Sequence, residues 1–384
     1  MQSDVALLFA TRAVRMFAYG FLSVILILYL ASIGISEHRI GLLLTLTLLG
    51  DVAVSLFLTT RADLFGRRRT LIGGAILMAA AAAVFASTHD FYLLLLAATI
   101  GVISPSGNEV GPFLAIEQVA LADVAEGRDR TSLYAWYNLG GSFATAMGAL
   151  AAGGITDLLS YRAVIIGYAL LGILLALMFT RLSPLVDGMK PVPHQAVIRS
   201  RGVVAKLSAL FALDSFAGGL IVQSILAWWF YRRFGLNPAV IGSIFFGANI
   251  LAGISALAAA WLAKRFGLLN TMVFTHLPSN VLLLLIPFMP TLTLAVTVLL
   301  LRFSISQMDV PTRQSYLIAV LKPEERTAAA GITGVARTTG AALAPILAVP
   351  LVSSSHDWIP FVAAGGLKII YDLLLLRSFS RRTE

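Results

Sequence analysis

The chain alternates long apolar runs with short polar intervals from one end to the other. Continuously apolar stretches lie near residues 7–32, 40–60, 71–88, 91–120, 131–155 and 162–180, and again near 206–231, 239–262, 271–289, 291–320, 327–352 and 358–377. Each is near or above the roughly 20 residues that an α-helix needs to cross a hydrocarbon core. The runs are apolar throughout instead of alternating, which selects helices over a barrel, the two structures that satisfy every backbone group inside lipid. The pattern predicts an all-α integral membrane protein with twelve transmembrane helices. Composition agrees: 58% of the 384 residues are hydrophobic and 12% charged, with a mean hydropathy of +0.88, which excludes a soluble domain of this length.

The pattern also repeats, at an offset near 200 residues. Gly34, Gly41 and Gly66 match Gly235, Gly242 and Gly267; Arg15-Met16-Phe17-Ala18-Tyr19-Gly20 aligns with Asp214-Ser215-Phe216-Ala217-Gly218-Gly219. Glu117-Gln118 aligns with Arg313-Gln314, and Arg130-Thr131 with Arg326-Thr327. The longest polar interval, 182–202, holds Pro184, Pro191, Pro193 and His194 and reads as a cytoplasmic link between two six-helix bundles, 1–181 and 203–384. Two similar membrane halves have a natural place for a cavity between them and can rock about it.

The net charge of +9 resembles a nucleic-acid signal only until the charges are located, since they fall between the apolar runs. Most of the 28 Lys and Arg collect on one side, with Arg39, Arg162, Arg232 and Arg233 on the other, so the positive-inside rule places both termini in the cytoplasm. Residues 1–8 carry Asp4 and no basic residue, so helix one is expected to remain as a span and not to be cleaved as a leader. Trp228, Trp229, Tyr231 and Trp358 at helix ends suit an interfacial aromatic belt. There is no cysteine, five scattered His give no metal-ligand spacing, and no phosphate-binding Gly-Lys loop exists for ATP. No cofactor, metal or nucleic-acid partner is therefore expected, only the lipid bilayer and a small-molecule substrate, with the chain a monomer.

The loop between helices two and three reads Asp63-Leu64-Phe65-Gly66-Arg67-Arg68-Arg69. A Gly permits a tight turn, a carboxylate can sit against a positive helix N-terminus, and arginines can hold neighbouring carboxylates in charge-assisted contacts. The segment resembles the signature of the major facilitator superfamily, Gly-x-x-x-Asp-Arg-x-Gly-Arg-Arg, keeping the Asp, the Gly and the paired Arg, with Thr59 and Leu64 in place of the first Gly and the first Arg. A degenerate copy, Lys264-Arg265-Phe266-Gly267, falls at the corresponding loop of the second half. The resemblance covers essentially the whole chain. It implies two pseudo-symmetric six-helix bundles, alternating access, and a conformational latch of Asp63, Gly66, Arg67 and Arg68 that stabilises the state closed to the cytoplasm. A second family motif, linked to antiporters, is not intact: helix five offers Ala144, Gly148, Ala149, Ala152 and Gly153 without its proline, and helix eleven Gly340, Ala344, Pro345 and Ala348. These small residues suit close helix packing.

Charges inside the helices are the other functional signal, since each costs roughly 2.5–3.5 kcal/mol at a helix centre unless it meets a partner or water. The resemblance implies that helices one, four, seven and ten line the cavity; they hold Arg15, Glu109, Glu117, Asp214, Arg302, Asp309 and Arg313. On helix ten, spacings of seven and four put Arg302, Asp309 and Arg313 on one face, with Pro311 loosening the backbone. On helix four, Ser104-Pro105-Ser106-Gly107-Asn108-Glu109 and Gly111-Pro112 predict a similarly interrupted helix. The repeat sets Arg15 against Asp214 and Glu117 against Arg313, so equivalent positions carry opposite charges and each half is expected to pair internally, forming a gate. A carboxyl in a low-dielectric interior can take up and release a proton as its exposure changes. Glu109 is the leading candidate for that role, ahead of Asp309, which has Arg313 close by, and Asp51, which is expected to connect to the latch. Arg15, Tyr19, Asn108, Arg302 and Gln307 are the substrate-cavity candidates. Arg12 is expected to snorkel to the surface, Lys368 and Asp372 to neutralise each other four residues apart, and His276 and Asn280 to be structural.

Together these features predict a secondary active transporter in the inner (plasma) membrane. It moves a small organic solute by alternating access, driven by the proton gradient, with efflux, as in an antiporter, favoured over uptake. Arginines in the cavity suit an anion, whereas Phe17, Tyr19, Phe21 and Phe113 suit an amphipathic compound. The competing readings are proton-coupled uptake or facilitated diffusion of an organic anion and, in another class, a membrane sensor or scaffold that transports nothing.

Overall fold

Each apolar run becomes helix and most polar intervals close into short turns. The computed structural model describes residues 2–124, 130–187, 200–321 and 325–379, and every regular element among them is helical. The order is α1 (Gln2–Ser32), α2 (Glu37–Phe65), α3 (Arg67–Ser87), α4 (Phe91–Ile100), α5 (Phe113–Val124), α6 (Arg130–Leu158) and α7 (Tyr161–Thr180), followed by a short turn of helix at Pro184–Asp187. Then come α8 (Arg201–Gly219), α9 (Gln223–Phe234), α10 (Pro238–Phe266), α11 (Leu268–Leu285), α12 (Leu292–Ser306), α13 (Asp309–Ala319), α14 (Arg326–Ala342), α15 (Pro345–Val352) and α16 (Ile359–Phe379). The central part of the expected link, 188–199, lies outside the described residues.

Among the described residues, eleven helical segments are long and apolar enough to span a bilayer, and Phe91–Ile100 is a shorter apolar helix. That short helix is the start of the expected fourth span, whose run is broken between α4 and α5. Four of the runs are split in this way. Gly101, Pro105, Gly107, Gly111 and Pro112 leave residues 101–112 unwound, because prolines remove donors and Gly107 and Gly111 adopt positive φ. Pro311 lies in the first turn of α13, where a missing amide hydrogen costs no helical bond, and Pro345 likewise opens α15. The break between α8 and α9 follows Gly218-Gly219, the two weakest helix formers in that run.

The repeated glycines have a backbone reason. Gly34, Gly66, Gly235 and Gly267 all turn the chain between helices with φ between +62° and +90°, a region that side chains avoid.

By packing, the described residues within 1–192 and 223–246 form one compact unit, and those within 193–222 and 247–384 form another. In the first unit α1 is central, packed on α6, α7 and α9. A Cβ added to Gly20 would lie 2.0 Å from the Thr145 carbonyl oxygen, so the backbones of α1 and α6 touch there. In the second unit α8 packs on α14 at the equivalent place, a Cβ on Gly219 lying 2.3 Å from the Ala341 carbonyl oxygen. Glycine is thus required at the repeat-related pair Gly20 and Gly219. Leu207, Phe211, Met272, Tyr316, Tyr371 and Phe379 belong to the apolar core of the second unit.

Candidate functional site

In the first unit the chemistry gathers where α1 faces the unwound segment 101–112. Helical spacings of three and four put Arg12, Arg15 and Tyr19 on one face of α1. The unwound segment is held from several sides. Ser104 donates to the Asn108 carbonyl (2.7 Å), Tyr19 to the Val110 carbonyl (3.0 Å) and Tyr168 to the Val102 carbonyl (2.8 Å), while the Ser224 amide of α9 donates to the Pro105 carbonyl (3.1 Å). Asp51 of α2 accepts the Gly111 amide at 2.6 Å and the Ser55 hydroxyl at 3.1 Å. Asp51 is therefore committed to the broken helix, and its contacts are with this segment instead of the latch loop. With no helical partners of their own, these backbone groups need the side chains and the α9 amide to be satisfied inside a membrane.

Glu109 projects from this segment onto two guanidiniums. Arg12 donates to it at 2.5 Å, and Arg15 donates at 3.0 and 3.2 Å. Arg15 also grips Glu117 of α5 in a two-pronged contact, at 2.7 and 2.6 Å. Glu117 is wholly buried and accepts further bonds from Thr11 (3.1 Å) and the Tyr137 hydroxyl. Two positive and two negative groups thus form a closed array in which Glu109 alone among the carboxylates retains exposure, 15% of its side chain against 0% for Glu117. Such bidentate, charge-assisted contacts are the strong ones, and burial removes the water that would compete with them. Arg12 does not run to the surface as a snorkelling side chain would; it is buried, with Asn138 accepting at 3.1 Å and the Tyr137 ring 4.4 Å beneath it. Asn108 stands outside the array: its carbonyl accepts from Ser104 and its amide donates to Ser106, and its side chain is exposed. Tyr137 and Asn138 were not singled out from sequence, although two adjacent polar groups in an apolar run carried a usable signal.

The second unit holds its own array. Asp214 of α8 accepts from Arg313 of α13 at 2.9 Å and from Lys368 of α16 at 2.6 Å, and Arg313 also reaches Asp309 at 3.0 Å. The repeat-related contacts Arg15 to Glu117 and Asp214 to Arg313 are therefore both present, with the charges exchanged between units. Lys368 and Asp372 do not neutralise each other as their spacing suggested. Lys368 turns to Asp214 on a neighbouring helix, and Asp372 is taken by His276 (2.9 Å) and Asn280 (3.0 Å) of α11. Arg302 departs from the expected stripe: α12 ends at Ser306, the backbone loses its regular rotation at Gln307 and Met308, and only Asp309 and Arg313 meet. Arg302 is buried, its Nε has no hydrogen-bond partner, and Gln307 is the half-buried residue that closes α12.

The loop between α2 and α3 is tied within the first unit. Asp63 lies in the last turn of α2 and its side chain is outside the described residues. Gly66 makes the turn with φ +90°, and Arg68 donates its amide to Asp187 at 3.0 Å and its guanidinium to the Thr180 carbonyl at 2.8 Å. Arg67 is buried, with a guanidinium nitrogen 3.4 Å from the Val186 carbonyl. The carboxylate against the positive N-terminus of α3 is thus Asp187, from the turn after α7, a residue that sequence spacing does not connect to this loop.

Comparison with known proteins agrees with this architecture. The family profile described as Major Facilitator Superfamily matches residues 8–301 and 207–384. A protein of Saccharomyces cerevisiae described as uncharacterized membrane protein YJR124C is 30% identical over 420 residues, covering 98% of this chain and 94% of its own. Among solved structures, a mutant form of the nucleoside transporter NupG superposes with a TM-score of 0.78 at 15% identity, covering 98% of this chain and 99% of that one. A D-xylose-proton symporter gives 0.73 at 15% identity, covering 97% and 96%.

Proposed function

The chain belongs to the major facilitator superfamily of membrane transporters, and we propose that within it this protein is a proton-coupled secondary transporter of a small organic solute, working by alternating access. The observation that carries the reading is the Glu109 carboxylate, which sits on an unwound stretch of a membrane span, keeps partial exposure and is shared by Arg12 and Arg15. A carboxylate so placed can exchange its guanidinium contacts for a proton when its surroundings change, and Arg15 then retains Glu117 as a partner. Solute binding and protonation become linked because both act on the same segment. The proposed setting is the plasma membrane with both termini cytoplasmic, from the bias of the basic loops, and export is the direction to be tested first.

The test is proton movement in proteoliposomes containing the full chain and an internal pH-sensitive dye, challenged with organic anions, sugars and amphipathic compounds. Coupled transport predicts a solute-dependent change of internal pH whose sign reports antiport or symport. Solute entry with no movement of protons would contradict the coupling.

A further inference from the structure

The second unit buries a histidine that the proposed coupling through Glu109 leaves unused. His276 and Asn280, one turn apart on α11, both bond Asp372 of α16, and Lys368 lies one turn before Asp372 on the same face. The two helices touch nearby, since a Cβ on Gly365 would lie 2.9 Å from the Asn280 carbonyl oxygen. The imidazole stands between two carboxylates: its Nδ1 is 2.9 Å from Asp372, and its Nε2 is 3.9 Å from Asp214 of α8. From α13 come Asp309 and Arg313, which bond each other, and Arg313 also reaches Asp214. From α16 come Lys368, bonded to Asp214, and the Tyr371 ring, edge-on with its centroid 6.1 Å from that of the imidazole. Arg302 of α12 is buried and, among the described residues, makes no ion pair. Asp214 and Asp309 thus each hold a permanent cation. Asp372 is wholly buried and holds none: among the described residues its side chain bonds His276 and Asn280 alone.

A carboxylate sealed from water needs a counter-charge, and an imidazole supplies one only while both of its nitrogens carry protons. We propose that the His276–Asp372 pair is a second proton-binding site of the transport cycle, within the second unit. With the proton bound, the imidazolium donates its Nδ1–H to Asp372 and turns its Nε2–H towards Asp214. With the proton passed to water, Asp372 needs another cation, and Lys368 is the one within reach. The four-residue spacing on α16 lets its ammonium leave Asp214, which keeps Arg313, and pair with Asp372. The position of Lys368 and the proton on His276 are thereby linked. The inference rests on the proton-coupled reading above and adds to it a proton separate from the one on Glu109.

The charge of His276 is read by nitrogen NMR of the full chain, isotope-labelled at histidine and held in lipid nanodiscs. His276→Gln identifies its signals, and the exposed His38, His89 and His356 serve as references. Across about pH 5 to 9 the buried imidazole should pass from the charged to the neutral form. Lys368→Met should move that change upwards by about one pH unit or more, because no cation is left to replace the proton, and Asp372→Asn should move it downwards by a similar amount. An imidazole in one form throughout the range, or a change indifferent to either variant, would overturn the site. The parent's own response needs no variant, so a variant that fails to fold does not obscure it. In proteoliposomes, His276→Gln should lower the number of protons moved per solute while solute exchange continues. Proton-coupled transport with an unchanged ratio contradicts the second site alone, whereas a titrating His276 with no solute-dependent proton movement in the parent contradicts the coupled reading.

Discussion

Arg15 bonds two glutamates at once, and they are not equivalent. Glu117 is sealed and holds the guanidinium with two short bonds, so Glu117→Gln breaks a fully buried pair and is expected to lower stability by about 3 kcal/mol. Thermal unfolding in detergent reads this, and a midpoint unchanged from the parent would show that the pair contributes little. The counterpart in the second unit responds differently to exchange of charge. Reversing Asp214 and Arg313 together should restore only part of the stability lost in either single reversal, because Lys368, at 2.6 Å, would then face an arginine and Asp309, at 3.0 Å, an aspartate; adding both Lys368→Glu and Asp309→Lys should recover most of the rest. Full recovery in the double variant would mean that Lys368 is not a real partner of position 214. These residues also mark what sequence could reach. The repeat pointed to Arg15 with Glu117 and Asp214 with Arg313, since opposite charges at equivalent positions leave a visible trace. The Lys368 contact left none, because spacing along α16 points to Asp372 and a bond across helices has no signature in one chain.

At the scale of elements, the helices that matter are the interrupted ones. The unwound stretch 101–112 is fastened by Asp51, whose carboxylate takes the Gly111 amide at 2.6 Å. Asp51→Ala should raise hydrogen exchange at Gly111 and its neighbours at least tenfold, while Asp51→Asn, which keeps an acceptor, should restore much of the protection. Equal exchange in parent and alanine variant would show that other bonds suffice. The repeat-related Gly20 and Gly219 each let one backbone rest on another, so Gly20→Ala and Gly219→Ala should both lower the thermal midpoint, the added carbon having no room before a carbonyl oxygen. Insensitivity of either would mean that its helix pair can separate freely. The breaks in helices four and ten were legible because Pro and Gly interrupt their apolar runs. The breaks near Leu220 and Leu343 were not anticipated: paired glycines lower helix propensity without forcing an end, and Pro345 read equally well as a packing residue.

For the whole molecule, hydropathy and the repeat were sufficient for the fold class, because a bilayer admits few solutions for a chain with these apolar runs. Family membership adds that the chain is a transporter. The substrate stayed beyond the reach of sequence for a physical reason: seven charged positions on four expected cavity helices suggest many sites, and their pairing, visible only in three dimensions, leaves few charges free. The central claim is that Glu109 couples a proton to the solute, which separates two activities that transport normally combines. The direct measurement compares the parent with Glu109→Gln in proteoliposomes, following labelled solute both as equilibrium exchange and as accumulation driven by an imposed pH gradient. The account predicts that the variant keeps exchange within a few-fold of the parent and loses accumulation almost entirely. Accumulation at the parent's level with a glutamine at this position would contradict it.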